Sequence, residues 1–145
     1  MKLTSLKIDA ARAERGDWIS GMPGMGDLRV KVRGFGNTDY QAAIAREQSK
    51  VSREDRLDGR AGGRIKPAVL DAIMSRCMAE AILIDWDGLT DDEGAPITYS
   101  RERAAAFLAD PNLLPFRDAV AWAANVVNEV EVDRVEGAVG NSASA

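Results

Sequence analysis

Five carboxylates, Asp85, Asp87, Asp91, Asp92 and Glu93, fall within nine residues. Crowded carboxylates raise one another's proton affinity, so such a group could supply a general acid and base, or oxygen ligands for a divalent cation. The surrounding residues complete neither use. The chain contains no histidine, and no nucleophile stands beside these acids. A calcium loop counted from Asp85 requires glycine at its sixth position and glutamate at its twelfth, where this sequence has Thr90 and Pro96. The stretch reads as a solvated acidic loop. No catalytic, cofactor-binding or metal-binding residue is assigned, and the chain is expected not to be an enzyme; an enzyme using residues 85–93 is the least favoured of three functional classes.

Other chemical motifs also stop short. Gly21, Gly24 and Gly26 precede a strand pattern rather than a helix, and no Gly-Lys-Ser/Thr follows them, so they mark turns and not a phosphate cradle. Arg29, Lys31 and Arg33, with Phe35 and Tyr40 nearby, could track a nucleic-acid backbone. The net charge of -4 and the lack of a recognised binding module weigh against nucleic acid, leaving these cations as the solvent face of a strand. The lone Cys77 cannot form an internal disulfide, and without histidine there is no zinc set, which suits a reducing, intracellular setting. Residues 1–9 lack the apolar run of a signal peptide and the apolar run at 81–84 is too short to span a bilayer, so neither export nor a membrane is expected. Charge is divided unevenly: residues 1–80 hold 15 Lys/Arg against 11 Asp/Glu, and residues 81–145 hold 4 against 12. The two halves are suited to attract each other or different partners.

What remains is recognition by apolar surface. Trp86 sits between Asp85 and Asp87, where a large ring suits either a lid on the core or an anchor in an interface. Trp122 lies off the apolar stripe of its own helix and extends the apolar face beyond what a small domain needs.

The elements that must position these residues are mostly helical. With 145 residues and 46% hydrophobic content the chain can bury a core, and residues 1–136 are expected to form a single globular domain with a disordered tail at 137–145. Residues 1–35 carry short strands and a Gly-rich loop: a weak strand at 3–8, a loop at 10–26 with Trp18 packed onto the core, and a half-buried strand at 27–33 with Leu28, Val30 and Val32 on one face. A helix at 37–50 is capped by Asn37 or Thr38. Residues 52–63 form a solvated connection that adds little to the core. A central helix at 66–84 is marked by Leu70, Ile73, Met74, Cys77, Ala81 and Ile84, with Pro67 in its first turn. An acidic loop follows at 85–99. Ser100 caps a helix at 101–109, and Asp110 with Pro111 starts another at 111–128 whose buried face is Leu113, Phe116, Val120, Ala124 and Val127. Val130 and Val132 alternate with Glu131 and Asp133, as fraying helix or as a strand. The expected class is a mainly α, compact four-helix domain with a small N-terminal β element.

Several short runs appear in a suggestive order: Val-Lys-Val-Arg-Gly at 30–34 followed by Tyr40, Ile-Leu-Ile-Asp-Trp-Asp-Gly-Leu at 82–89, Asp-Asp-Glu-Gly-Ala-Pro-Ile at 91–97, Tyr99 with Ser100, Ala-Asp-Pro at 109–111, and Phe-Arg-Asp-Ala-Val at 116–120. In this order the chain resembles the tail assembly chaperones of long-tailed, siphovirus-like bacteriophages, across residues 28–127. The resemblance implies a helical protein of the host bacterial cytoplasm that coats the tape measure protein, helps recruit tail tube protein subunits, and is absent from the finished particle. It brings no catalytic residues. Trp86, Tyr99, Phe116 and Trp122 are then the expected protein-binding anchors, with Asp85 and Asp87 in the acidic element that solubilises or steers. Self-association into a homo-oligomer is left open. The runner-up is a structural neck or tail component retained in the virion.

Overall fold

The computed structural model describes residues 1–129; the expectations for Val130, Val132 and the tail at 137–145 lie outside the described residues. The architecture is mainly helical with one small sheet, α1 Ala10–Arg15, β1 Asp17–Ile19, β2 Arg29–Val32, α2 Thr38–Ser49, α3 Pro67–Ala81, β3 Leu83–Asp87, α4 Arg101–Ala109 and α5 Leu114–Asn128. The sheet is antiparallel in the order β1-β2-β3. α3 packs against both α2 and α4, while α5 lies against α1, α4 and the strands β1 and β2. Ile19, Val30, Val32 and Trp86 from the sheet join Ile73, Cys77 and Met78 of α3 and Val120, Ala124 and Val127 of α5 in one buried cluster.

Local signals account for most boundaries. The Asn37 side chain accepts from the Tyr40 amide at 2.7 Å, and the Ser100 hydroxyl accepts from the Arg103 amide at 3.0 Å, each satisfying one orphan donor of a helix start. Asn37 does more than cap. Fully buried, it donates through Nδ2 to the carbonyls of Gly34 and Ala81 at 2.8 and 3.0 Å, stitching the start of α2 to the end of α3. Pro67 occupies the first turn of α3, where its missing amide costs nothing. The Asp110 side chain accepts from the Asn112 amide, but it opens a 3-10 turn at Pro111–Leu113, and the α-helix proper begins at Leu114.

Four expectations are corrected. Residues 3–8 form no strand; Leu3–Leu6 is a single 3-10 turn. The loop expected at 10–26 contains α1, whose Asp9 side chain accepts from the Arg12 amide at 3.1 Å, and β1. Trp18 does not pack onto the core, because its position in β1 faces outward and places Ile19 inward instead. The helix expected to reach residue 84 ends at Ala81, and the acidic loop expected from 85 begins as β3. Ile82, Leu83 and Trp86 are buried all the same, in a strand that pairs with β2. The connection at 52–63 is as solvated as expected, with no residue buried, although the Arg56 guanidinium gathers it by donating to the carbonyls of Gly63 and Gln48 at 2.6 and 3.0 Å.

Candidate functional site

Strand alternation sorts the residues of β3 onto two faces. Val30 stands opposite Trp86 on the inner face, and on the outer face Lys31 stands opposite Asp85 and Arg29 opposite Asp87, with a bulge between Lys31 and Val32. Arg29 Nη2 reaches Asp87 Oδ2 at 2.9 Å, and its guanidinium carbon lies 4.9 Å from the centroid of the Trp18 ring. Just beyond the strand, Arg33 Nη2 pairs with Glu14 at 3.0 Å and Nη1 with Asp39 at 2.7 Å. The basic face of one strand and the acidic end of another, separate features in the sequence, thus meet across the sheet.

On the inner side Trp86 nucleates an aromatic cluster. Its ring meets Tyr99 edge-on at 5.1 Å, stacks on Phe107 at 5.6 Å and meets Phe116 edge-on at 6.0 Å, while Phe107 and Phe116 make a further edge contact at 6.1 Å. Such pairs each contribute beyond their buried area because the positive edge of one ring faces the negative face of another. The polar tips are satisfied: Trp86 Nε1 donates to the Ile97 carbonyl at 2.6 Å, and the Tyr99 hydroxyl donates to the Leu83 carbonyl at 3.3 Å. Burial pushes the Tyr99 phenol up, so it remains the protonated donor.

The acidic stretch after β3 is an ordered turn. Asp91 Oδ1 accepts from the amides of Glu93 and Ala95, each at 2.9 Å, and the Ile97 amide donates to the Leu89 carbonyl at 2.8 Å. Gly88 is required at its start: its φ is +84°, and a Cβ there would stand 2.7 Å from the Asp27 carbonyl oxygen. Among the described residues no group of three or more His, Cys, Asp or Glu is placed to hold a metal ion. Cys77 is buried among apolar side chains, and that burial raises its thiol pKa, which leaves it a packing residue.

Between this turn and the start of α5 lies an open groove of about 360 Å³ lined by Met25, Leu28, Leu89, Leu113, Pro115 and Phe116 among others. A second hollow of about 610 Å³ lies along the 52–66 connection, beside Arg56, Leu57, Ile65 and Leu70. Of the residues singled out in the sequence, Trp86, Tyr99 and Phe116 come together in the aromatic cluster, and Phe116 also lines the groove. Both Trp86 and Phe116 are buried, and Phe116 forms part of the groove wall rather than projecting from it. Asp85 is half-buried on the outer face of the sheet, and Asp87 is exposed there. Trp122 stands apart on α5, 41% exposed, off the buried row Phe116, Ala119, Val120, Ala123, Ala124 and Val127.

Sequence reasoning missed Phe107 as a member of the cluster; its place beside Leu108 in the apolar stripe of α4 was the available signal. Met25, Leu28 and Leu89 were missed for the groove because nothing local joins a glycine-rich loop to the end of a distant strand. A family model described as YdaY prophage protein matches residues 35–141. No curated protein and no solved structure matches the chain. No helix of the described residues is long and apolar enough to cross a membrane.

Proposed function

The chain belongs to the YdaY prophage protein family, and from that premise we propose that it is a tail assembly chaperone that binds the tape measure protein of its own phage in the host cytoplasm. Tail tube subunits are its second partner in this reading, and no catalytic step is assigned to it. The observation that supports the reading most directly is the apolar groove beside the acidic turn. A groove of this kind accepts the apolar row of an amphipathic helix, with anchors at i, i+3 or i+4, and i+7. Asp91, Asp92 and Glu93 follow Thr90 at its edge and favour a helix that carries basic residues beside that row. Trp122 and Leu114, 41% and 50% exposed on α5, extend the apolar surface available to a long partner.

Co-expression with the tape measure protein of the same prophage tests the reading. The expected result is a soluble complex that co-purifies. Leu113→Ala, which shortens an apolar side chain in the groove wall without burying a charge, should reduce capture about tenfold while the circular dichroism spectrum stays unchanged. Mass spectrometry of purified particles should lack the chain. Absence of a complex would remove the proposal, and recovery of the chain from particles would replace it with a structural tail or neck component.

A further inference from the structure

Between α2 and α3 the chain carries cations that the described fold leaves without a counter-charge. Lys50, Arg53, Arg60, Arg64 and Lys66 are all exposed, and none of them makes an ion pair or a side-chain hydrogen bond among the described residues. Arg29, Arg33, Arg46 and Arg117, by contrast, each hold a carboxylate at 3.0 Å or less. Glu54, Asp55 and Asp58 stand in the same stretch as the free cations and pair with none of them. With six cations against three carboxylates, residues 50–66 keep a net charge of +3 in a chain whose own net charge is -4.

The stretch is folded back on itself. Arg56 and Ile65 form a β-bridge, the Leu57 amide donates to the Arg64 carbonyl at 2.8 Å, and the Lys66 amide donates to the Asp55 carbonyl at 2.9 Å. Arg56 gives its two Nη groups to the carbonyls of Gly63 and Gln48, so it ties the fold of the connection to the end of α2 and keeps its whole charge. The hollow of about 610 Å³ beside it is lined by Leu57, Ile65, Pro67 and Leu70 together with Arg56 and Arg64. A nucleic-acid strand would ask for aromatic platforms on which its bases stack. Residues 50–66 contain no aromatic side chain, and an apolar lining offers phosphates nothing. An acidic polypeptide with a large apolar side chain uses both features, the side chain entering the hollow and the carboxylates meeting the free cations around it. We propose that this hollow docks an acidic segment of another protein, held by an apolar anchor. It is opposite in charge to the groove beside Leu113, so the two surfaces take different partners or different stretches of one.

The test titrates the full chain into a short fluorescein-labelled peptide of glutamates that carries two leucines one helical turn apart, read by fluorescence anisotropy. Binding is expected, and it should weaken about tenfold when the leucines are replaced by serine and further as salt is added. Arg60→Glu with Arg64→Glu, at two exposed positions without partners among the described residues, should weaken it about tenfold or more while the urea midpoint keeps its native value. Leu57→Ser, at a position already 52% exposed, should weaken it about fivefold. Bound peptide should slow hydrogen exchange of the amides at 57–66 and leave those at 88–99 unchanged. Absence of binding, or binding that the charge reversal leaves intact, would overturn the proposal. So would preference for a labelled single-stranded oligonucleotide over the peptide, because the partner would then be nucleic acid. Self-association of the native chain that the charge reversal removes would overturn it too, with a second copy as the occupant. None of these substitutions lies in the groove beside Leu113, so this proposal and the tape measure reading can fail separately.

Discussion

Two long connections in this protein look alike in sequence and are built differently. Residues 52–66, between α2 and α3, and residues 88–99, between β3 and α4, are both charged and punctuated by glycine. Both are hydrogen-bonded internally, the first through the Arg56 guanidinium and the second through the Asp91 carboxylate. What separates them is the anchoring of their ends. The second is flanked by Trp86 and Tyr99, rings that pack on each other and on two further aromatics, and Trp86 also holds the Ile97 carbonyl. The first has no aromatic residue, and of its large apolar members Leu57 is 52% exposed and Ile65 only half-buried. Hydrogen bonds at an exposed backbone compete with water and contribute little net, whereas a ring moved into a packed core contributes through its whole area. The 88–99 turn is therefore the better fixed of the two, and the groove beside it the better defined hollow.

Removing the anchor should collapse this difference. Trp86→Ala is expected to lower unfolding stability by about 4 kcal/mol, since it empties the centre of the aromatic cluster. Urea denaturation would measure the loss, and hydrogen exchange at 88–99 should rise toward that of 52–66; a loss below about 1 kcal/mol would show that the cluster does not anchor the turn. Gly88→Ala attacks the entry to the same turn. Its positive φ and the close Asp27 carbonyl together should cost about 2 to 3 kcal/mol, read as a fall in melting temperature, with no comparable penalty for Gly62→Ala, where the added carbon meets nothing within 4 Å and only the backbone strain of its positive φ remains.

Arg56→Met probes the other connection. It removes the guanidinium that ties Gln48 to Gly63 and should cost only about 1 kcal/mol globally, while exchange of the amides at 57–66 accelerates strongly and that at 88–99 does not change. Acidification acts outside both connections and has the smallest effect. The Thr38 amide holds the Glu14 carboxyl below its ordinary value, with Arg33 assisting, and the Arg117 guanidinium does the same for Asp71. A carboxyl with a depressed folded-state pKa contributes stability that is complete above its unfolded value and is lost as pH falls through the folded one. The urea midpoint should thus decline as pH drops below the ordinary values of 4.5 for Glu14 and 3.8 for Asp71, and Glu14→Gln with Asp71→Asn should flatten that decline.

Legibility in the sequence followed the range of the interactions. α4 was legible to the residue because Ser100 caps it and Asp110 with Pro111 ends it, all within one turn of chain. The strand around Val30 and Val32 was legible by its alternation. α1 was not, because a six-residue helix that buries only Arg12 and Ala13 carries no apolar period, although Asp9 before an alanine-rich run and Gly16 after it were the signals present. β3 was hidden for a different reason. Its apolar run continues the spacing of α3, and helix and strand are equally satisfied by consecutive buried residues.

By itself the sequence determined the helical class, four of the helices, and the caps Asn37 and Ser100. Only the tertiary structure decided that residues 83–87 leave the helix for a strand, that their carboxylates face Arg29 and Lys31, and that Met25, Leu28 and Leu89 line one groove with Phe116. Caps and periods act between residues within a turn or two, so they are written where they operate. Strand register is set between segments more than fifty residues apart, and it becomes visible only when both are in place.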